Sequence, residues 1–205
     1  MPSRERASGL AALKLLYRPQ VPLGMLAVGL FFMGQFALFT YLRPFLEMVT
    51  GLDVTTLSLA LLGLGLAGLA GTYVIGRVLK RTLYGLLIAM PLAMAVIAAG
   101  LIALGTSPFS VAVLLGLWGL IGTAAPVAWW TWVSKALPND AEAGGGLMVA
   151  VIQLAITLGA SLGGLLFDGW SYRAAFIASG ALLVLSGLTA AFASRQSVTT
   201  TPAAS

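Results

Sequence analysis

Gln153, Thr157 and Ser161 recur every four residues, and Gly164 follows three further on. On a helix turning about 100° per residue they fall on one stripe. An amide and two hydroxyls in a row can hydrogen-bond a polar solute. Ser161 and Gly164 can equally form a helix–helix seam, because small residues let backbones approach. The Gln153 amide has four hydrogen-bonding sites to satisfy, which favours a cavity or an interhelical bond. A second cluster is aromatic: Trp129, Trp130 and Trp132 stand within four residues, just after Pro126, with Trp118 on the same helical side as Trp129 and Trp132. Such rings anchor helices at headgroup level or form a platform on which a planar aromatic ligand stacks. Trp129, about a turn further in, is the candidate for stacking, with Trp130 and Trp132 as anchors. Gln35, Thr40 and Tyr41 supply a third polar group.

Other chemistry is missing from the composition. The chain has no Cys and no His, so disulfides, thiolate metal sites and imidazole proton carriers are excluded. Intramembrane enzymes need a nucleophile, paired acids or metal ligands at depth. None is available, so no enzymatic activity, metal or cofactor is expected.

The elements that must position these groups are six apolar stretches, 21–42, 56–76, 83–104, 110–132, 144–166 and 174–193, none holding an Asp, Glu, Lys or Arg. Each matches the roughly 20 residues needed to cross a hydrocarbon core about 30 Å thick. Hydrophobic residues make up 60% of the chain and charged residues 8%, against about 25% charged in soluble proteins. The expected fold is an all-α membrane protein of six transmembrane helices. Residues 1–20 form a cytoplasmic linker, within which Ser8–Tyr17 suits either a short interfacial helix or a frayed segment. Residues 21–193 form the transmembrane domain and 194–205 a cytoplasmic tail. The net charge of +5 sits in loops beside apolar spans, which argues against nucleic acid as a partner.

Basic residues orient the spans. Arg4, Arg6, Lys14, Arg18, Arg77, Lys80, Arg81, Lys135 and Arg195 fall on one side; Arg43 and Arg173 fall on the other. Basic loops stay in the cytoplasm, so both termini are expected there. Polar content suggests that the bland third and sixth spans face lipid. The first, fourth and fifth, which carry Gln35, Tyr41, Trp129, Gln153 and Thr157, should converge on an interior surface.

Six spans with both ends inside, the first helix of each three-helix set carrying the bulky polar groups, resemble one half of a major facilitator superfamily transporter. Gly76-Arg77-Val-Leu-Lys80-Arg81 resembles the basic loop motif after the second helix of a half, without its usual acid. Gly159-Ala-Ser-Leu-Gly163-Gly164 and Asp168-Gly169-Trp170-Ser-Tyr-Arg173-Ala-Ala-Phe176 resemble the glycine-rich fifth helix and the entry to the sixth. GQFALFTYLRP (34–44), PVAWWTWVSKAL (126–137) and AVIQLA (150–155) resemble the C-terminal half of bacterial purine ribonucleoside exporters, in the drug-proton antiporter branch. The resemblance implies a 3+3 helix repeat, a bacterial cytoplasmic (inner) membrane location and proton-coupled efflux of an inosine- or guanosine-like solute. Gln35, Tyr41, Trp129, Gln153 and Thr157 would contact that solute. Membrane lipid and either an N-terminal half or a second copy would be partners. Export of sugars or drugs on the same scaffold, or a non-transporting six-helix remnant, are the alternatives.

The orientation is directly testable. Single cysteines at Ser3, Ser107 and Ser197 should react with an impermeant thiol reagent from the cytoplasmic, external and cytoplasmic faces respectively. Labelling of positions 3 and 107 from the same face would overturn the six-span plan.

Overall fold

The computed structural model describes residues 14–18, 20–79 and 82–199, with side chains as far as Arg195. Most of the expected linker, the loop cations Lys80 and Arg81, and the end of the tail lie outside the described residues. A turn at Leu15–Tyr17 precedes seven helices: α1 (Val21–Phe39), α2 (Leu42–Met48), α3 (Val54–Val78), α4 (Leu83–Leu104), α5 (Pro108–Ala136), α6 (Ala141–Gly169) and α7 (Tyr172–Thr199). There is no strand among the described residues. Counting α1 and α2 as one span, six helices are long and apolar enough to cross a membrane.

Local chemistry sets the boundaries. The first span breaks at Thr40–Tyr41 and resumes as α2. Pro44 explains the break, since it has no N–H to offer the Thr40 carbonyl and its ring crowds that carbonyl. The turn into α3 passes through Gly51, whose φ of 72° suits glycine. Asp53 then caps α3 by accepting from the Thr55 N–H at 3.1 Å. The Thr56 side chain, first among its hydrogen-bond donors, holds the Asp53 carboxyl below its usual pKa. Ser107 caps α5, with Pro108 as its first helical residue. These caps start the two helices two residues ahead of the apolar stretches at 56 and 110.

The packing repeats itself. The first helix of each three-helix set lies on the second and third helices of the other set: α1 on α6 and α7, and α5 on α3 and α4. The third helices, α4 and α7, pack together. The closest crossings rest on glycine. A Cβ on Gly71 would strike the Leu120 carbonyl, and one on Gly119 would strike that of Leu64. In the matching crossing, a Cβ on Gly159 would meet the Met33 carbonyl, and one on Gly163 that of Ala37. These neighbours are backbone and cannot rotate away. Buried hydroxyls fasten α7 to α1: Ser179 donates to the Gly34 carbonyl at 2.6 Å and Ser186 to that of Ala27 at 2.7 Å. Arg18 pairs with Asp140 at 2.6 Å at one end of the bundle, and the Thr50 hydroxyl donates to the Gly105 carbonyl at 2.8 Å at the other.

The third and sixth spans, expected to face lipid, each keep one outward apolar face. They are α4 and α7, and each buries one face while exposing residues such as Val96 and Phe192 on the other. The least buried spans are α3 and α6. Helices without polar side chains are the easiest to bury against one another, because no donor or acceptor is stranded. The first, fourth and fifth spans do not converge on one enclosed surface: α1 and α5 meet over a small area.

Gly159→Ala and Gly71→Ala should each destabilise the bundle by roughly 1–3 kcal/mol through overpacking. Gly63→Ala, where nothing lies within 4 Å, should be neutral or mildly stabilising, since alanine is the better helix former by about 1 kcal/mol. Detergent-titrated unfolding in bicelles measures both. Equal effects at all three sites would contradict the crossing geometry.

Candidate functional site

Gln35 lies at mid-depth, 14 residues after Val21 and 13 before the end of its span at Met48. Its carboxamide reaches across to Gly122 on α5. Nε2 lies 2.9 Å from where a Cβ on Gly122 would stand, a position 3.4 Å from the Met94 methyl of α4. Glycine at 122 therefore makes the seat for the amide. Oε1 is buried with no hydrogen-bond partner. One turn earlier on α5, Trp118 is 1% exposed, and its Nε1 is likewise buried without a partner. Leaving a buried polar group unsatisfied costs about 1–3 kcal/mol. An acceptor and a donor are thus both stranded in the middle of their spans. Trp118 and Gly122 were not among the expected site residues; the signal for them was their spacing of four, which places both on one face of α5.

The α6 stripe lies on the open face of the bundle. Gln153, Thr157 and Ser161 are exposed. Thr157 donates to the Gln153 carbonyl at 3.0 Å within its own helix, while the buried face of α6 is carried by Met148, Ala155, Gly159 and Gly163. Gln153, Thr157 and Ser161 therefore form no seam within the six helices, whereas Gly164, at the end of the stripe, is buried against Tyr41 of the first span. Tyr41 stands where the first span breaks. Its hydroxyl donates to the Ala160 carbonyl at 3.1 Å, its ring stacks on Phe167 at 5.3 Å and 26°, and Gly164 leaves room for the phenol oxygen. Tyr41 thus ties the first span to α6 beside Ser161.

The tryptophans separate. Trp129 is 2% exposed and meets Trp132 edge-on at 6.1 Å. Trp132 fills the space left by Gly24 on α1, and Trp130 lies over Gly145 on α6. In this conformation Trp129 is packed within the core and presents no open ring face, whereas Trp130 is 45% exposed. The expected residues accordingly form three settings: Gln35 in its seat, Gln153 and Thr157 on the open face with Tyr41 at its end, and Trp129 inside. Arg77 of the basic loop motif lies over the Tyr73 ring at 4.4 Å and donates to its hydroxyl.

Single-tryptophan variants in bilayers with brominated acyl chains should show Trp130 strongly quenched and Trp129 spared. Equal quenching would mean that α5 is rotated from the orientation described.

No family model matches the chain. Among curated proteins it is similar to a transcription regulatory protein, OpdE, of Pseudomonas aeruginosa, 60% identical over 171 residues. That alignment covers 83% of this chain and 42% of that protein. It is also similar to the purine ribonucleoside efflux pump NepI of Salmonella paratyphi B, 42% identical over 177 residues, 86% of this chain and 45% of the pump. NepI of Salmonella typhimurium is 41% identical over the same shares. The chain spans less than half the length of these curated relatives.

Proposed function

We propose that this chain acts in solute efflux, as one six-helix half of a major facilitator superfamily exporter. The single observation that carries this is its 42% identity with a purine ribonucleoside efflux pump across 86% of the chain. The open face of α6 supports it, because exposed Gln153, Thr157 and Ser161 are expensive against lipid and useful against a wet path. A second half, from an N-terminal portion or from a second copy, would cover that face, with the solute passing between the halves near the midplane.

In this reading Gln153 and Thr157 hydrogen-bond the solute along the path, and Tyr41 guards the end where the first span breaks. Gln35 becomes available when α1 and α5 part, and Trp129 offers its ring in the same opened state. A purine ribonucleoside suits the set: ring nitrogens and sugar hydroxyls for amides and hydroxyls, and a flat base for the indole. No carboxylate lies in the central part of a span, so proton coupling would draw on the other half or on Glu47, Asp53 and Asp168 near the span ends. Residues 1–20 serve as a linker and 194–205 as a tail, both cytoplasmic, in a bacterial inner membrane.

The 60% identity with a protein named a transcription regulator favours a second reading, a membrane protein that influences transcription. Six apolar spans provide no surface for DNA. A membrane protein of this build would act through the level of an effector solute.

Co-expression with the N-terminal half of a related exporter should confer resistance to a toxic purine nucleoside. Gln35→Leu or Gln153→Leu should lower efflux about 2- to 10-fold, the equivalent of one lost hydrogen bond of roughly 0.5–1.5 kcal/mol. Val96→Ala, on the exposed side of α4, should leave efflux unchanged. Resistance unaffected by either glutamine variant would remove these residues from the path. A change in transcription without any change in nucleoside efflux would favour the second reading.

A further inference from the structure

Asp140 occupies the N-cap position of α6 but its side chain does not cap it. Aspartate is among the best residues at that position. Its carboxylate can accept from the N–H groups of the first turn, which have no partner inside the helix. Two other N-caps in this bundle do so: Asp53 accepts from the Thr55 N–H and Ser107 from the Ser110 N–H. Their ψ angles are 163° and 109°, in the extended region from which a capping side chain reaches back. Asp140 has a ψ of 28°. Its Oδ2 lies instead 2.6 Å from a guanidinium nitrogen of Arg18, 122 residues away in the chain.

The diverted carboxylate leaves a loose helix end. Gly144, Gly145 and Gly146 stand in the opening turns of α6. Packing explains the first two: a Cβ on Gly144 would strike Leu137, and one on Gly145 the Trp130 ring. Nothing lies within 4 Å of the corresponding position at Gly146, so no contact calls for glycine there and it only weakens the helix. α5 and α6 touch over a small area, so the connection between them gains little from helix packing. On the other side of the ion pair, the turn Leu15–Tyr17 is seated by Leu15, which is buried, while Leu16 and Tyr17 are exposed. The turn packs on the start of α1 and reaches the α5–α6 connection through Arg18. The two charged side chains are 51% and 38% exposed, so water competes with the pair and its contribution is small. A helix cap contributes a comparably small amount. The Asp140 carboxylate therefore has two partners of similar worth that exclude each other: Arg18 and its own helix.

We propose that Asp140 is a two-position switch between a strap and a helix cap. In the position described, it straps the turn before α1 to the α5–α6 connection and leaves the end of α6 uncapped. In the other, its ψ rotates into the extended region, its carboxylate accepts from the N–H of Glu142 or Ala143, and the turn is held by Leu15 alone. Order is thus exchanged between two segments that adjoin at one end of the bundle: α6 firms as the strap opens. The switch does not depend on the transport reading. The test is hydrogen–deuterium exchange of the full chain in nanodiscs, read in peptides covering residues 14–18 and 141–146. Arg18→Gln frees the carboxylate to cap. Exchange at 14–18 should rise, and exchange at 141–146 should fall about fivefold, the equivalent of roughly 1 kcal/mol at 1.4 kcal/mol per tenfold. Asp140→Ala removes strap and cap together, so exchange should rise in both segments. Asp140→Asn keeps a capping oxygen without the charge and should behave as Arg18→Gln does. Both side chains stand outside the core, so the bundle tolerates these changes. The opposite response of 141–146 to Arg18→Gln and to Asp140→Ala is decisive, because a plain structural ion pair would loosen both segments in both variants. Exchange at 141–146 that rises or stays unchanged in Arg18→Gln would overturn the proposal, as would exchange at 14–18 unaltered by all three substitutions.

Discussion

Four backbone carbonyls set the architecture of this bundle. Those of Leu64 and Leu120, on α3 and α5, and those of Met33 and Ala37, on α1, each lie where a side chain on the opposing helix would otherwise stand. In lipid the hydrophobic effect does not drive one helix against another, and close van der Waals packing takes its place. Glycine at 71, 119, 159 and 163 permits that packing in two crossings related by the three-helix repeat. With α3 against α5 and α6 against α1 at backbone distance, the third helices have no place except against each other and against the first helix of the other set.

The polar groups follow from this placement. Because α6 spends its small residues on α1, its larger polar residues must point elsewhere, and they point out of the bundle. Because α1 and α5 touch over only a small area, the Gln35 amide can settle at Gly122 with Oε1 unpaired. Trp132 takes the room above Gly24 and thereby shields Trp129. The open polar stripe and the sealed aromatic core are consequences of one packing solution.

The six spans were legible in the sequence because twenty uncharged apolar residues in a row have few other fates. The outward or inward sense of each helix was not. Polarity along α6 marks a face that should avoid lipid, but it does not say whether that face meets its own bundle or something beyond it. In the bland spans apolar side chains suit lipid and protein interior equally, and only Gly34, receiving Leu182 and Leu183, and the carbonyl bonds of Ser179 and Ser186 reveal the buried side of α7. Trp129 could be placed on a helical face by spacing, yet its burial depends on Gly24, more than a hundred residues earlier. The break at Thr40 was available in principle from Pro44, which stood inside one of the resemblance-bearing stretches.

Ser179 and Ser186 are seven residues apart, as are Ala27 and Gly34, whose carbonyls they engage on the antiparallel α1. Two rivets at matched spacing fix both the rotation and the longitudinal register of one helix on the other. A slip of a single turn would break both together and strand two hydroxyls and lose the notch that Gly34 offers to Leu183. Mechanically, α1 and α7 behave as one stiff girder with α6 clamped alongside. Shear between α1 and α7 is thus the displacement this packing resists most, while the small α1–α5 contact and the proline break at Thr40 resist least.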